Sequence, residues 1–230
     1  MKKIILTASL IGGFYSSFQS YAYIPNDVTR FEKEVDCIKC NLTGNTLSHD
    51  GAIKEKTGRF DGALFTKVFL SGYKIMNSSF IDNNFVKSIL INNEFNSSIF
   101  QNVNLSYSDL LRVKFTKSTF KDVNFAHVSM DGFLSSCSFN NVDFTNANLQ
   151  RVSFSKAQMI DVNFSDADLN HADFSKANVE DVNFKNADLS YAILIGSNIT
   201  KDHLSKTKIY KCATLSNGEV YTNNGEFSCN

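Results

Sequence analysis

The chain of 230 residues contains no tryptophan, a single proline and no net formal charge. The proline is Pro25, so every later residue keeps a backbone N–H that can join a hydrogen-bonded ladder. With 23 basic and 23 acidic side chains, no whole-chain field favours nucleic acid or a membrane surface. The apolar stretch from Ile4 to Phe14 is shorter than the roughly 20 residues a membrane-spanning helix needs. There is no Gly-rich phosphate loop, nucleophile elbow or metalloprotease motif. The absences argue against nucleotide-dependent and elbow-type enzymes and against an integral membrane protein.

What is present is a period of five. Large apolar residues run from Phe60, Phe65, Leu70, Ile75 and Phe80 to Met130, then from Leu134, Phe139, Phe144 and Leu149 to Leu204. The two runs supply thirty centres, which hold 15 of the 21 phenylalanines. A helix repeats at three and four residues and a strand at two, so neither fits. A chain that turns a corner every five residues, with one large side chain pointing inward per repeat, does fit. Two residues before each centre the side chain is small at 26 of 30 repeats, the exceptions being Tyr73, Asn83, Asn93 and Asp202. Large and small inward residues would fill a narrow tube without voids. The residue just before the centre is often Asn or Asp, as at Asn104, Asp143, Asn163 and Asp188, and such side chains bond to nearby backbone in turns.

The resulting unit, seen in Ala167-Asp168-Leu169, Ala172-Asp173-Phe174 and Ala187-Asp188-Leu189, resembles the pentapeptide-repeat family over about 145 residues. The resemblance implies an all-β fold, a right-handed quadrilateral parallel β-helix of about 7–8 coils. Four repeats per coil stack residues twenty apart. Phe60, Phe80, Phe100 and Phe120 then form one column, and Leu70, Leu90, Leu110, Met130, Leu149, Leu169 and Leu189 another. At roughly 4.8 Å per rung the rod is about 36 Å long. The period slips once, at Met130-Asp131-Gly132-Phe133-Leu134, where glycine suits a tightened corner.

Flanking segments divide the chain into 1–22, 23–59, 60–204 and 205–230. The first, with Lys2, Lys3, the apolar stretch and Ser20-Tyr21-Ala22, reads as a signal peptide cleaved after Ala22, with an uncleaved anchor as the alternative. In the second, Val28, Phe31, Val35 and Ile38 predict an amphipathic helix over 26–38, with Thr29 and Glu32 as a capping box, that plugs the first coil. Cys40-Asn41-Leu42 and Leu47 predict an opening partial coil, and exported members of the family look similar here. His49 to Arg59 breaks the period and predicts a loop. In the last segment, Ser216-Asn217-Gly218 and Asn223-Asn224-Gly225 are turn signals in a C-terminal cap.

An exported chain makes disulfides plausible. By proximity Cys212 pairs with Cys229 and Cys37 with Cys40, while Cys137 occupies a small inward position. Cys37-x-x-Cys40 also fits redox chemistry or half a zinc site, but no thioredoxin-like context and no ligand beyond His49 accompanies it.

No catalytic, cofactor or metal residues are identified. His127 and His171 lie outside the inward positions and read as surface residues. Sequons such as Asn104-Leu105-Ser106 are by-products of the repeat. One outward ladder stands out: Asp82, Asn102, Asp122, Asn141, Asp161 and Asp181, followed by Lys201, two residues after the centres of one column. It reads either as an acidic strip for a basic partner or divalent cation, or as a turn position that favours Asx. The leading expectation is an exported, non-enzymatic scaffold, periplasmic or secreted, that binds a protein partner through flat faces. Neither nucleic acid nor, after signal cleavage, a membrane is expected as partner, and a dimer through one end of the rod is conceivable. The alternatives are a secreted effector, or the DNA-mimicking gyrase inhibitors and protectors that the family includes. Against the latter, residues 60–204 hold 15 acids and 12 bases, far from a polyanion.

Overall fold

The computed structural model describes residues 25–34, 36–48, 54–222 and 229. The expected signal segment with Ala22, and Val35, His49 and the Asn223-Asn224-Gly225 turn, lie outside the described residues.

Many of the five-residue repeats close a turn. The N–H three residues after a centre donates to the centre's carbonyl, as in Ala63 to Phe60 (3.2 Å), Val68 to Phe65 (3.0 Å) and Ala172 to Leu169 (2.9 Å). The third residue of the turn has a left-handed backbone, with φ of 50° at Asn77 and 63° at Arg151, the conformation this turn demands there. The predicted Asx bonds form beside it. Asn104 accepts the N–H of Ser106 (3.0 Å), Asp143 that of Thr145 (2.9 Å) and Asp188 that of Ser190 (2.8 Å).

Successive coils pair in parallel. The strands are β1 (Thr46–Ser48), β2 (Lys54–Lys56), β3 (Phe69–Ser71), β4 (Tyr73–Ile75), β5 (Ser79–Ile81), β6 (Ile99–Asn104), β7 (Thr119–Asn124), β8 (Ser138–Asp143), β9 (Gln158–Asn163) and β10 (Asn178–Asn183). β5 to β10 form one six-stranded sheet, while β1 pairs with β3 and β2 with β4. Phe100 pairs with Phe120 twenty residues on, and Phe120 with Phe139 nineteen on, across the slip. Isolated parallel bridges carry the other faces and continue beyond residue 204, at Asp188–Ile209 and Ile193–Thr214.

The register dictates the core. Phe60, Phe80, Phe100, Phe120 and Phe139 stack as one column with ring centroids 4.7–5.1 Å apart. Phe125, Phe144, Phe164 and Phe184 form a second, at 4.8–5.4 Å. Neighbouring columns meet edge to face, as Phe100 and Phe115 do, an arrangement that aromatic quadrupoles favour. In the N-terminal half several small inward positions are polar and tie coils together. Ser108 donates to Phe85 O (2.7 Å), Ser118 to Phe95 O (2.7 Å), and Asn93 to Leu70 O (2.7 Å) and Leu90 O (2.6 Å). Valine and alanine take over in the C-terminal half.

The ends correct several expectations. Helix α1 spans Pro25–Lys33, not 26–38, so Thr29 lies within it and Ile38 beyond it. Pro25 begins the helix, where no N–H is required. The buried carboxylate of Asp27 accepts the N–H of Asn41 (2.8 Å) and pairs with Arg30 (3.2 Å). Phe31 is fully buried against Phe60, Phe65 and Tyr73, which plugs the first coil as predicted. The expected loop from His49 to Arg59 includes strand β2, whose Lys-Glu-Lys pattern hides it from an apolar search. Lys56 bonds Glu34 O (3.1 Å) and lies over the Phe31 ring; burial, then repulsion from Lys54, lowers its pKa. Buried Tyr73 donates to Glu32, and burial followed by that bond raises its pKa. At the other end α2 (Lys201–Leu204) replaces a repeat corner, capped by Thr200, so Leu204 is buried from a helical turn. The turn at Ser216-Asn217-Gly218 forms, with Gly218 N–H to Leu215 O at 2.9 Å.

The slip has a steric cause. Gly132 occupies the small inward position, and a Cβ there would lie 1.8 Å from Val113 O. The shortened rung draws the two backbones together, and Phe133 N–H bonds that same carbonyl at 3.2 Å. Gly132→Ala therefore forces backbone movement and is expected to cost on the order of 3 kcal/mol. Gly44 is the control: its φ is +70°, yet an added Cβ would meet nothing within 4 Å, so alanine there costs about 1 kcal/mol. Denaturant melts of both variants test this; equal losses would contradict it.

Candidate interaction faces

The repeat gives the rod four faces, taken in chain order. The first is centred on Phe80, Phe100 and Phe120, the second on Phe85, Leu105 and Phe125, the third on Leu90, Leu110 and Met130. The fourth is centred on Phe95, Phe115, Leu134, Phe154 and Phe174. All these centres are buried, so the outward chemistry belongs to the residues between them and at the corners.

The predicted ladder is the corner between the first and second faces. Asp82, Asn102, Asp122, Asn141, Asp161 and Asp181 all have φ between 52° and 58°. Asn102 Nδ2 donates to Asp82 Oδ1 (3.0 Å) and Asn141 Nδ2 to Asp122 Oδ1 (2.8 Å), so each amide relieves one carboxylate. Asp161 and Asp181 follow on successive coils without an ion pair among the described residues. A shallow groove lies at that end, lined by Asp181, Asn183, Phe184, Asp202, His203 and Lys206. On the adjoining second face, Asn163 Nδ2 reaches Thr145 Oγ1 (2.8 Å) and Asn183 Nδ2 reaches Ser165 Oγ (2.8 Å).

A second ladder, missed in the sequence, occupies the corner between the fourth and first faces. Lys117, Ser136, Lys156 and Lys176 share the left-handed turn position, with φ of 57–61°. Arg112, Arg151, His171 and Tyr191 hold the corner between the third and fourth faces. Laying out the turn position by twenties for every column, and not for one alone, would have exposed these residues.

The remaining candidates are accounted for. His127 stacks on Tyr107 (4.5 Å) and His171 on Tyr191 (4.8 Å), each across one rung on the surface. Among the described residues no cluster of three or more His, Cys, Asp or Glu is arranged to hold a metal. Cys37–Cys40 and Cys212–Cys229 are disulfides, with Cα separations of 5.4 and 5.5 Å. The second closes the C-terminal cap and contributes about 3 kcal/mol in the chain-entropy account. No described helix is long and apolar enough to cross a membrane.

A tube of four-sided coils with one stacked aromatic or aliphatic side chain per five residues defines a class. Two family models match, "Pentapeptide repeats (8 copies)" over residues 98–133 and "Pentapeptide repeat region" over residues 136–214, together half of the chain. The chain belongs to the pentapeptide-repeat family. Among solved structures it is similar to HetL, a pentapeptide repeat protein involved in heterocyst differentiation regulation from the cyanobacterium Nostoc. The identity is 14%, coverage is 87% of this chain and 100% of that one, and the TM-score is 0.54, a likeness of fold. QnrB1, a plasmid-mediated fluoroquinolone resistance protein, matches at 17% identity over 77% of this chain and 92% of that one, with a TM-score of 0.45. A pentapeptide repeat protein from the Arabidopsis thaliana thylakoid lumen matches at 18% identity over 53% and 83%, with a TM-score of 0.34. No curated protein matches the chain.

Cys137 is the free thiol, buried with Sγ 2.8 Å from Phe115 O, and burial pushes its pKa up to about 12. The unfolded thiol ionises near its ordinary pKa, so as pH rises past that value the unfolded state is favoured. Wild type is expected to lose about 1 kcal/mol more than Cys137→Ala per pH unit above about 9. Unfolding curves of the two proteins at neutral and alkaline pH measure the difference; parallel pH dependence would refute it.

Proposed function

We propose that the protein is an exported, non-catalytic scaffold that binds a protein partner through its flat faces, with the Asp/Asn corner as the contact. The observation that carries the reading is the all-Asx composition of that corner. The same turn geometry accepts Lys, Arg, Ser and Tyr at other corners, at φ values of 54–63°. Left-handed backbone alone therefore does not account for Asx at all six rungs from residue 82 to 181. Asp161 and Asp181 leave adjacent carboxylates at about one rung spacing, a repulsion that a basic partner would relieve. Export is supported by the charged, apolar and small-residue order of residues 1–22 and by the two disulfides.

The filled core supports a non-catalytic role, since stacked phenylalanines occupy the interior that would otherwise form a substrate cavity. A DNA-mimicking role against gyrase is disfavoured by the lysine and arginine corners, which break any uniform negative field.

Expression from the native start in a bacterium, followed by fractionation and intact-mass measurement, is expected to recover residues 23–230 with two disulfides in periplasm or medium. A cytoplasmic, uncleaved chain would refute export. Cross-linking capture from those fractions is expected to fail after Asp122→Asn, Asp161→Asn and Asp181→Asn; an unchanged partner set would remove the strip. Potent inhibition in a gyrase supercoiling assay would replace the scaffold reading.

A further inference from the structure

The fourth face combines cations and apolar groups in a way that neither the repeat nor the Asp/Asn corner requires. We propose that this face and its two basic corners form a docking surface for an anionic phospholipid bilayer. Arg112, Lys117, Arg151, Lys156 and Lys176 are exposed, and none makes an ion pair among the described residues. Between the two rails runs the column Lys114, Phe133, Ser153, Asp173 and Ile193, linked rung to rung by parallel bridges. Phe133 is 51% exposed, Ile195 45%, and Ile193 and Tyr191 39% each. Apolar side chains flanked by cations suit an anionic interface, where burial of the former adds to attraction of the latter.

The acids near this surface are few. Glu94 is paired with Lys114 (2.8 Å), Asp131 accepts the N–H of Arg112 (2.6 Å), and Asp173 accepts that of Ser175 (2.8 Å). The opposite side carries Asp122, Asp143, Asp161, Asp166 and Asp181. The lysines on that side, Lys67, Lys87 and Lys185, are fewer than its acids, whereas cations outnumber acids on the fourth face, so an anionic bilayer would favour the fourth face over the opposite one. Charge complementarity selects the bilayer over a rigid protein partner. The cations are unevenly spaced, with Ser136 interrupting the lysine ladder, and mobile lipid headgroups can gather beneath each one. A folded partner would need matching gaps. Docked this way, the rod would hold its Asp/Asn corner away from the lipid.

The experiment is sedimentation of the exported product, residues 23–230, with vesicles of phosphatidylcholine alone or mixed with phosphatidylglycerol, at low and high salt, so that the apolar stretch of residues 4–14 adds no binding of its own. Lys117→Ser, Lys156→Ser and Lys176→Ser together place at each position a residue the ladder already accepts at Ser97 and Ser136. This triple variant is expected to bind the anionic vesicles on the order of 100-fold more weakly, about fivefold per charge. Lys67→Ser, Lys87→Ser and Lys185→Ser, an equal charge change on the second face and its corner with the third, should leave binding within a few-fold of wild type. Phe133→Ser should weaken it several-fold, and high salt should release the wild type. Equal binding to both vesicle types, equal loss in both triple variants, or capture by soluble heparin without vesicle binding would each overturn the proposal. Thermal melts confirm that every variant is folded.

Discussion

The hydrogen-bonded distance between parallel strands, about 4.8 Å, is the constraint from which the rest of this molecule follows. Every coil must lie one such step above the last, because its N–H groups are satisfied by the carbonyls of the next. Whatever a repeat position carries is therefore copied upward at that step. Benzene rings stack with centroids near 5 Å, Asn183 bonds Asn163, and like charges approach unless an amide separates them. The core and the surface are two readings of one spacing. Inside, the spacing suits flat rings. Outside, it turns single substitutions into ladders.

The same regularity made much of the fold legible. One large side chain per five residues identified thirty inward positions, and division by twenty sorted them into columns that the structure reproduces. Asn or Asp before a centre foretold bonds to nearby backbone, and the structure directs many of them to the N–H two residues on. Legibility ended where polarity replaced periodicity. Strand β2 is Lys-Glu-Lys, held by pairing with Tyr73–Ile75 and by the helix above it, so its order comes from neighbours distant in sequence. Helix α2 kept the five-residue spacing of Leu204 by coincidence, since a helical turn capped by Thr200 also buries it.

The surface was half legible. The Asp/Asn corner stood out because acids repeat there, whereas the lysine corner is interrupted by serine. Its significance rests on where it lies relative to Phe133 and Ile193, a relation that only the folded rod establishes. A closed core leaves such corners and faces as the main chemical resource of the protein. The charged groups are distributed unevenly around the rod, with a lysine and arginine pair of corners on one side and the Asp/Asn corner on another.

Gly132 has a consequence beyond local fit. A solenoid of near-identical rungs can in principle zip up one coil out of step, because each rung offers its neighbours much the same hydrogen bonds and the same apolar column. The four-residue rung breaks that degeneracy. The Val113 carbonyl approaches so closely that only a residue without a side chain can sit above it. Shifting the C-terminal half by one coil would bring Val152 to that place. The single irregularity in the repeat thus works as an alignment key, fixing which copy of the pattern stacks on which.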